Sequence, residues 1–140
     1  DMFGPSAMPL DELKLPAEQV PPSLSEKLFL YHLEGPLFFG TSRQFSQSLD
    51  EIGDYQAIVF SFRDVPFLDQ SAAYALEDAI TSLKGRGLTV YVSGLRPQPA
   101  EVLRRLKVIP GQVDPTRVRP TTTEAVQALL AERPELAAPT

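Results

Sequence analysis

The chain has no cysteine, no tryptophan and a single histidine in 140 residues. Without cysteine there is no disulfide framework, no thiol nucleophile and no thiolate metal site, and a disulfide-stapled secreted fold is untenable. With His32 as the one imidazole, a histidine-rich metal centre is excluded by count, and no spaced set of carboxylates replaces it. A serine triad would have to take its base from His32, and no G-x-S-x-G elbow accompanies it. Among aromatic and aliphatic neighbours, His32 reads as a packed or edge position of a strand. Neither a G-x-x-x-x-G-K-[ST] phosphate loop nor a G-x-G-x-x-G fingerprint occurs. No apolar run approaches the ~18 residues needed to cross a bilayer, and "DMFGPSAMPL" lacks the basic region and apolar segment of a signal peptide. Positive charge is scarce: 13 Lys and Arg against 18 Asp and Glu leave a net charge of −5. A nucleic acid would need a basic face, and an anionic lipid surface is likewise a poor partner for the whole chain. No cofactor and no metal are expected, and an enzyme is the least supported class.

What is present is ordinary for one globular domain: 43% hydrophobic and 22% charged residues in a length that can bury a core. A chain that opens on Asp1 reads as an excised piece of a longer polypeptide. Residues 1–25 carry Pro5, Pro9, Pro16, Pro21 and Pro22, whose fixed φ and missing N–H groups disfavour helix and central strand; they read as a proline-rich arm or linker. Residues 26–133 read as the domain and 134–140 as a disordered tail. Within the domain, Lys27–Gly35 and "PLFFG" read as strands. In "TSRQFSQSLDEI", Thr41 and Gln44 have capping-box spacing, and Phe45, Leu49 and Ile52 share a helical face. The nearly continuous apolar run Tyr55–Phe62 fits a central strand covered on both faces. Ala73, Leu76, Ile80 and Leu83 recur at spacings of three and four, the stripe of an amphipathic helix, which Gly85 and Gly87 would end. Leu88–Gly94 is a second central strand, so Tyr55–Gly94 should form a right-handed parallel crossover. A helix over "PAEVLRRLKV", an edge strand over "TRVRPT" limited by Pro120, and a helix behind the Thr121/Glu124 capping box complete the order. The expected fold is α/β: a small mixed sheet of four to five strands with about four helices packed on it.

Chemistry concentrates in "VPFLDQSAAYALEDAI". Glu77 and Asp78 are adjacent on a helix and splay about 100° apart, so they read as a solvated face. Asp64 and Asp69 flank a turn with no geometry fixed by their spacing. Asp69 and Ser71 stand where the helix must begin and where unpaired N–H groups need partners. Both are favoured caps, and an acid suits the positive end of the macrodipole. A hydroxyl at such a turn is also a candidate phosphoacceptor, since a helix start stabilises phosphate while Asp69 would repel it.

"EGPLFFGTSRQF" followed by "AIVFSFRDVPFLDQSAAYALEDAITSLKGRGLTVYVSGL" closely resembles the STAS domain, shared by SulP-type anion transporters and bacterial anti-sigma-factor antagonists. The resemblance covers about residues 28–132. It implies a mixed sheet with helices and a protein-binding switch without catalysis of its own. In antagonists a partner kinase phosphorylates the serine two residues after the aspartate, here Ser71 after Asp69. Glycine usually follows that serine; Ala72 stands here, favours continued helix and argues against kinase docking. "GPLFFG" resembles the transporter branch, and the proline-broken arm suits a connection from a last transmembrane helix. The expectation is a regulatory STAS domain of a bacterial SulP-type anion (sulfate or bicarbonate) transporter, on the cytoplasmic side of the inner membrane. Its partners would be the transporter's transmembrane domain, a second copy or another cytoplasmic protein, with no nucleic acid and weak or no nucleotide binding. Alternatives are a free antagonist switched by serine phosphorylation, or a small nucleotide- or anion-binding module. The expected interaction turn is Pro66–Ser71, with Phe67, Asp69, Gln70 and Ser71 as its residues. Phe67 and Leu68 supply either core plugs or an apolar contact. Phe38 and Phe39, on opposite sheet faces if their segment is a strand, form a candidate docking strand.

Overall fold

The computed structural model describes residues 6–7, 24, 26–37 and 54–137. Among the described residues, five strands form one sheet: β1 (Ser6–Ala7), β2 (Leu28–Glu34), β3 (Ala57–Asp64), β4 (Thr89–Ser93) and β5 (Val118–Arg119), in that spatial order. β2 to β5 are mutually parallel, and β1 adds to β2 in the antiparallel sense, with Ser6 opposite His32. The helices are α1 (Gln70–Gly85), α2 (Pro97–Arg105), the short α3 (Val108–Gly111) and α4 (Thr122–Glu132), with 3-10 turns at Pro115–Arg117 and Pro134–Ala137. The expected α/β fold, a mixed sheet with helices packed on it, is the one found.

Side-chain alternation divides the sheet between two cores. Ile58, Phe60 and Phe62 of β3, with Val90 and Val92 of β4, face α1 and α2, where Ala73, Leu76, Ile80, Leu83, Val102 and Leu103 meet them. Ala57, Val59 and Tyr91 face the other way, onto Ala125, Val126 and Leu129 of α4. Helices on both faces explain why Ala57–Phe62 is buried throughout and why its sequence shows no alternation. The strand starts two residues later than its apolar run, at Ala57, where the Gln56 and Ala57 N–H groups both turn to the Lys27 carbonyl, at 2.8 and 3.0 Å, and it continues through Arg63 and Asp64.

The end of α1 and the start of α4 follow their sequence signals, whereas the helix expected over Pro99–Val108 runs over Pro97–Arg105, because Lys107 leaves the helical conformation and Val108 opens α3. Thr121 Oγ1 accepts from the Glu124 N–H at 3.1 Å and donates to the Glu124 carboxylate at 3.2 Å, so the cap anticipated by their spacing forms, with the carboxylate meeting the threonine hydroxyl. α2 opens on Pro97 and closes before Lys107, which takes a left-handed φ of 63°. β5 is a two-residue edge strand before Pro120. The "PLFFG" strand reduces, among the described residues, to one bridge between Leu37 and Leu68; Phe38, Phe39 and the helix expected over residues 41–52 lie outside the described residues. The expectation of a disordered tail does not hold for Pro134–Ala137. Leu136 is fully buried against the α4 core, and burying one leucine contributes roughly 1.5–3 kcal/mol, enough to hold a short turn.

Candidate functional site

The site is the passage from β3 into α1. Asp64 ends the strand, and the Val65 N–H turns back to the Phe62 carbonyl at 3.0 Å. Val65 and Leu68 are both fully buried, whereas Phe67 is 38% exposed. The two readings of Phe67 and Leu68 therefore divide: Leu68 is the core plug and Phe67 the apolar side chain offered outward. The backbone here is held from two sides. Leu37 donates to the Phe67 carbonyl at 2.9 Å and accepts from the Asp69 N–H at 3.1 Å. Gln98, in the first turn of α2, accepts from the Leu68 N–H at 2.9 Å and donates to the Leu68 carbonyl at 3.1 Å.

Asp69 is the helix cap. Its backbone is extended, its Oδ1 accepts from the Ala72 N–H at 2.7 Å, and its carbonyl accepts from the Ala73 N–H. The carboxylate thus satisfies one orphan donor and sits at the positive end of the macrodipole. Asp69 takes the capping role, and Ser71 is exposed in the first turn. Gln70 reaches along the helix, its Nε2 lying 3.4 Å from the Tyr74 hydroxyl, as residues four apart on one helix face can. Ala72, Ala73, Leu76, Ala79, Ile80 and Leu83 are buried, so the inferred stripe faces the core and the opposite face carries Gln70, Ser71, Tyr74 and Asp78. Tyr74 is 45% exposed, and it and Phe67 are the exposed large apolar side chains among the described residues.

Sequence reading missed Tyr74 and Gln98. Tyr74 had a signal, four residues from Gln70 and off the apolar stripe; Gln98 had none, since thirty residues separate it from Leu68. His32 is buried as expected for a packed strand residue, yet not among apolar groups alone. Its Nε2 lies 2.9 Å from Asp64 Oδ2 and 3.6 Å from Glu34 Oε1. Asp64 therefore belongs to β2 pairing rather than to a joint site with Asp69. Glu77 is half-buried and Asp78 exposed, in keeping with a solvated face. Among the described residues no helix is long and apolar enough to cross a membrane.

A polar network closes the end of α4. Tyr91 donates to Glu132 Oε1 at 2.7 Å, and Arg117 pairs with both carboxylate oxygens of Glu132. Burial first, then the bond to Glu132 and its charge, push the Tyr91 hydroxyl up to about 12. Burial also pushes Glu132 up, but the hydrogen bonds from Arg117 and Tyr91 and the Arg117 and Arg133 charges outweigh it and hold the carboxyl below its usual range.

Comparison with known proteins places this geometry. A family model described as "STAS domain" matches residues 19–125. The Synechocystis "Bicarbonate transporter BicA" is 35% identical over 82 residues, which are 59% of this chain and 14% of that protein; the chain thus spans about a seventh of that relative's length. The solved SulP transporter STAS domain of Vibrio cholerae superimposes with a TM-score of 0.68 at 26% identity, over 84% of this chain and 98% of that one. The anti-sigma factor antagonist SpoIIAA, in its unphosphorylated form, shares the fold at a TM-score of 0.59 and 16% identity, over 75% of this chain and 90% of that one.

Proposed function

Because the chain belongs to the STAS domain family, we propose that it is the non-catalytic regulatory domain of a bacterial SulP-type anion transporter. It would act by docking the Pro66–Ser71 turn and the start of α1 onto the transmembrane part from the cytoplasmic side. The observation that carries this reading is the pair of exposed aromatic side chains, Phe67 and Tyr74, on either side of the exposed Ser71. Aromatic groups of this kind supply much of the affinity at protein interfaces. Similarity to BicA and to a SulP transporter domain supports the transporter branch.

The test uses the full-length parent transporter carrying Phe67→Asp and Tyr74→Asp together, with bicarbonate and sulfate as probes. Uptake is expected to fall several-fold at an unchanged amount of protein in the membrane, while the domain's melting temperature stays put. Unchanged uptake and unchanged membrane level would sink the reading.

One observation favours a second reading, a phosphate switch at Ser71: Asp69 already caps the helix, so the exposed hydroxyl is available to a kinase. A phosphate there is stabilised by the helix start and opposed by Asp69. Mass spectrometry of the protein isolated from its own cells decides it, and a fully unmodified Ser71 peptide under every growth condition removes it.

A further inference from the structure

We infer that Gln98 is the positioning residue of the docking turn, fixing the main chain so that Phe67 is presented outward. The surface a partner meets then spans the start of both α1 and α2. The inference rests on the docking reading above and deepens it.

Residues 67–69 behave as a strand with partners on both sides. The Phe67 carbonyl and the Asp69 N–H turn to Leu37, and the Leu68 N–H and carbonyl turn to Gln98. This is the alternation of a sheet ladder, except that one neighbouring strand is replaced by a side chain. A primary amide can do this because it offers a donor and an acceptor in one plane; a carboxylate or an alkyl group of the same size cannot. The consequence follows from strand geometry, in which successive side chains leave on opposite sides. With Leu68 pinned and fully buried, Phe67 must leave on the other side, where it is 38% exposed. Gln98 itself stands on a firm base, since Pro99, Ala100, Val102 and Leu103 of α2 are buried. Without the amide, the turn would keep the Leu37 bonds, the buried Leu68 side chain and the Asp69 cap, but the Leu68 backbone would lose both bonds on its other side, and the path that presents Phe67 would loosen.

The experiment pairs local exchange with docking. In the full chain, Gln98→Leu is expected to raise amide exchange at Leu68 by roughly ten-fold or more, the local weight of one part-buried hydrogen bond. Exchange across the α1 core should hold. Gln98→Glu, which keeps the acceptor but loses the donor, should fall between, and it serves if the leucine variant does not fold. In the parent transporter, a photo-crosslinker placed at residue 67 should attach to the membrane part, and each Gln98 variant should reduce that yield in the same order as its exchange. Unchanged Leu68 exchange overturns the positioning role. Faster exchange with undiminished crosslinking overturns it too, because Gln98 would then only stabilise the turn. Absence of any crosslink in the otherwise unaltered parent would instead overturn the docking reading, with the exchange result still reporting on Gln98.

Discussion

The two faces of the sheet are closed by different chemistry. On the α1 side, contact is almost wholly apolar: Leu76, Ile80 and Leu83 meet Ile58, Phe60 and Phe62. On the α4 side a smaller apolar cluster is tied off by polar groups. Tyr91, Glu132 and Arg117 form one network, with the Arg117 guanidinium 5.9 Å from the Tyr91 ring centre. Arg133 adds bonds to the Gln56 carbonyl and Thr89 Oγ1, at 2.9 and 3.1 Å. Apolar closure is indifferent to direction, so the α1 face can hold Ala72 and Ala73 of the first turn in the core while leaving its outward side, Gln70, Ser71 and Tyr74, exposed. Hydrogen-bonded closure demands fixed partners at the helix end, and α4 accordingly spends its polar side chains on its own sheet.

The largest break in this comparison is Ile80→Asp. Ile80 has no exposure, and an unpaired carboxylate in that cluster has no hydrogen-bond partner in prospect. The cost is expected at roughly 3–5 kcal/mol, in line with burying an uncompensated charge, read as a loss of the urea unfolding midpoint or of the fold itself. Stability within about 1 kcal/mol of the unaltered chain would mean that the α1 face is not the dry one.

Much of this contrast was legible beforehand, and the reason is periodicity. The α1 stripe, the unbroken apolar run of β3 and the capping box at Thr121 and Glu124 are local patterns, each contained within a few turns or one strand. The unread features are contacts between distant residues or segments too short to carry a period. β1 is two residues long between Pro5 and Pro9. Leu136 is a single apolar residue among Pro, Glu and Ala. Gln98 finds Leu68, and His32 finds Asp64, across thirty residues or more. At the turn itself, Asp69 was legible as a cap because its partner is three residues away. The exposure of Phe67 was not, because it depends on which neighbour of a buried Leu68 the sheet turns outward.

A smaller effect sharpens the α4 side. Tyr91→Phe removes the hydroxyl that serves Glu132, and the expected loss is about 1 kcal/mol, that of one hydrogen bond to a charged group partly compensated by Arg117. The network should also give the α4 side a limit at each end of the pH range. Glu132 has a depressed folded value, so its contribution is present above the unfolded value of about 4.3. It is lost as pH falls through the folded one. Tyr91 works in the opposite sense: its contribution is whole below the unfolded value of about 10 and is lost as pH rises towards about 12. Melting temperature measured against pH should therefore drop at both ends. Glu132→Gln should flatten the acid limb, and Tyr91→Phe the alkaline one. Limbs that keep their slopes in these variants would show that other groups set the pH range.

The smallest effect tests whether the bare turn is as independent of the core as the comparison requires. Ser71→Asp places a second carboxylate in the first turn of α1, two residues from the Asp69 cap. The helix start favours the added charge by about 0.3–1 kcal/mol at an exposed position, and repulsion from Asp69 opposes it with a screened interaction of similar size. These nearly cancel, so the urea unfolding midpoint should move by no more than about 0.5 kcal/mol equivalent, while the surface offered to a partner gains a full negative charge. Docking that weakens at unchanged stability would mark Ser71 as part of the contact. A loss above about 2 kcal/mol would instead show that the first turn of α1 is bound up with the core, and that the α1 side is not divided into a closed stripe and an open end.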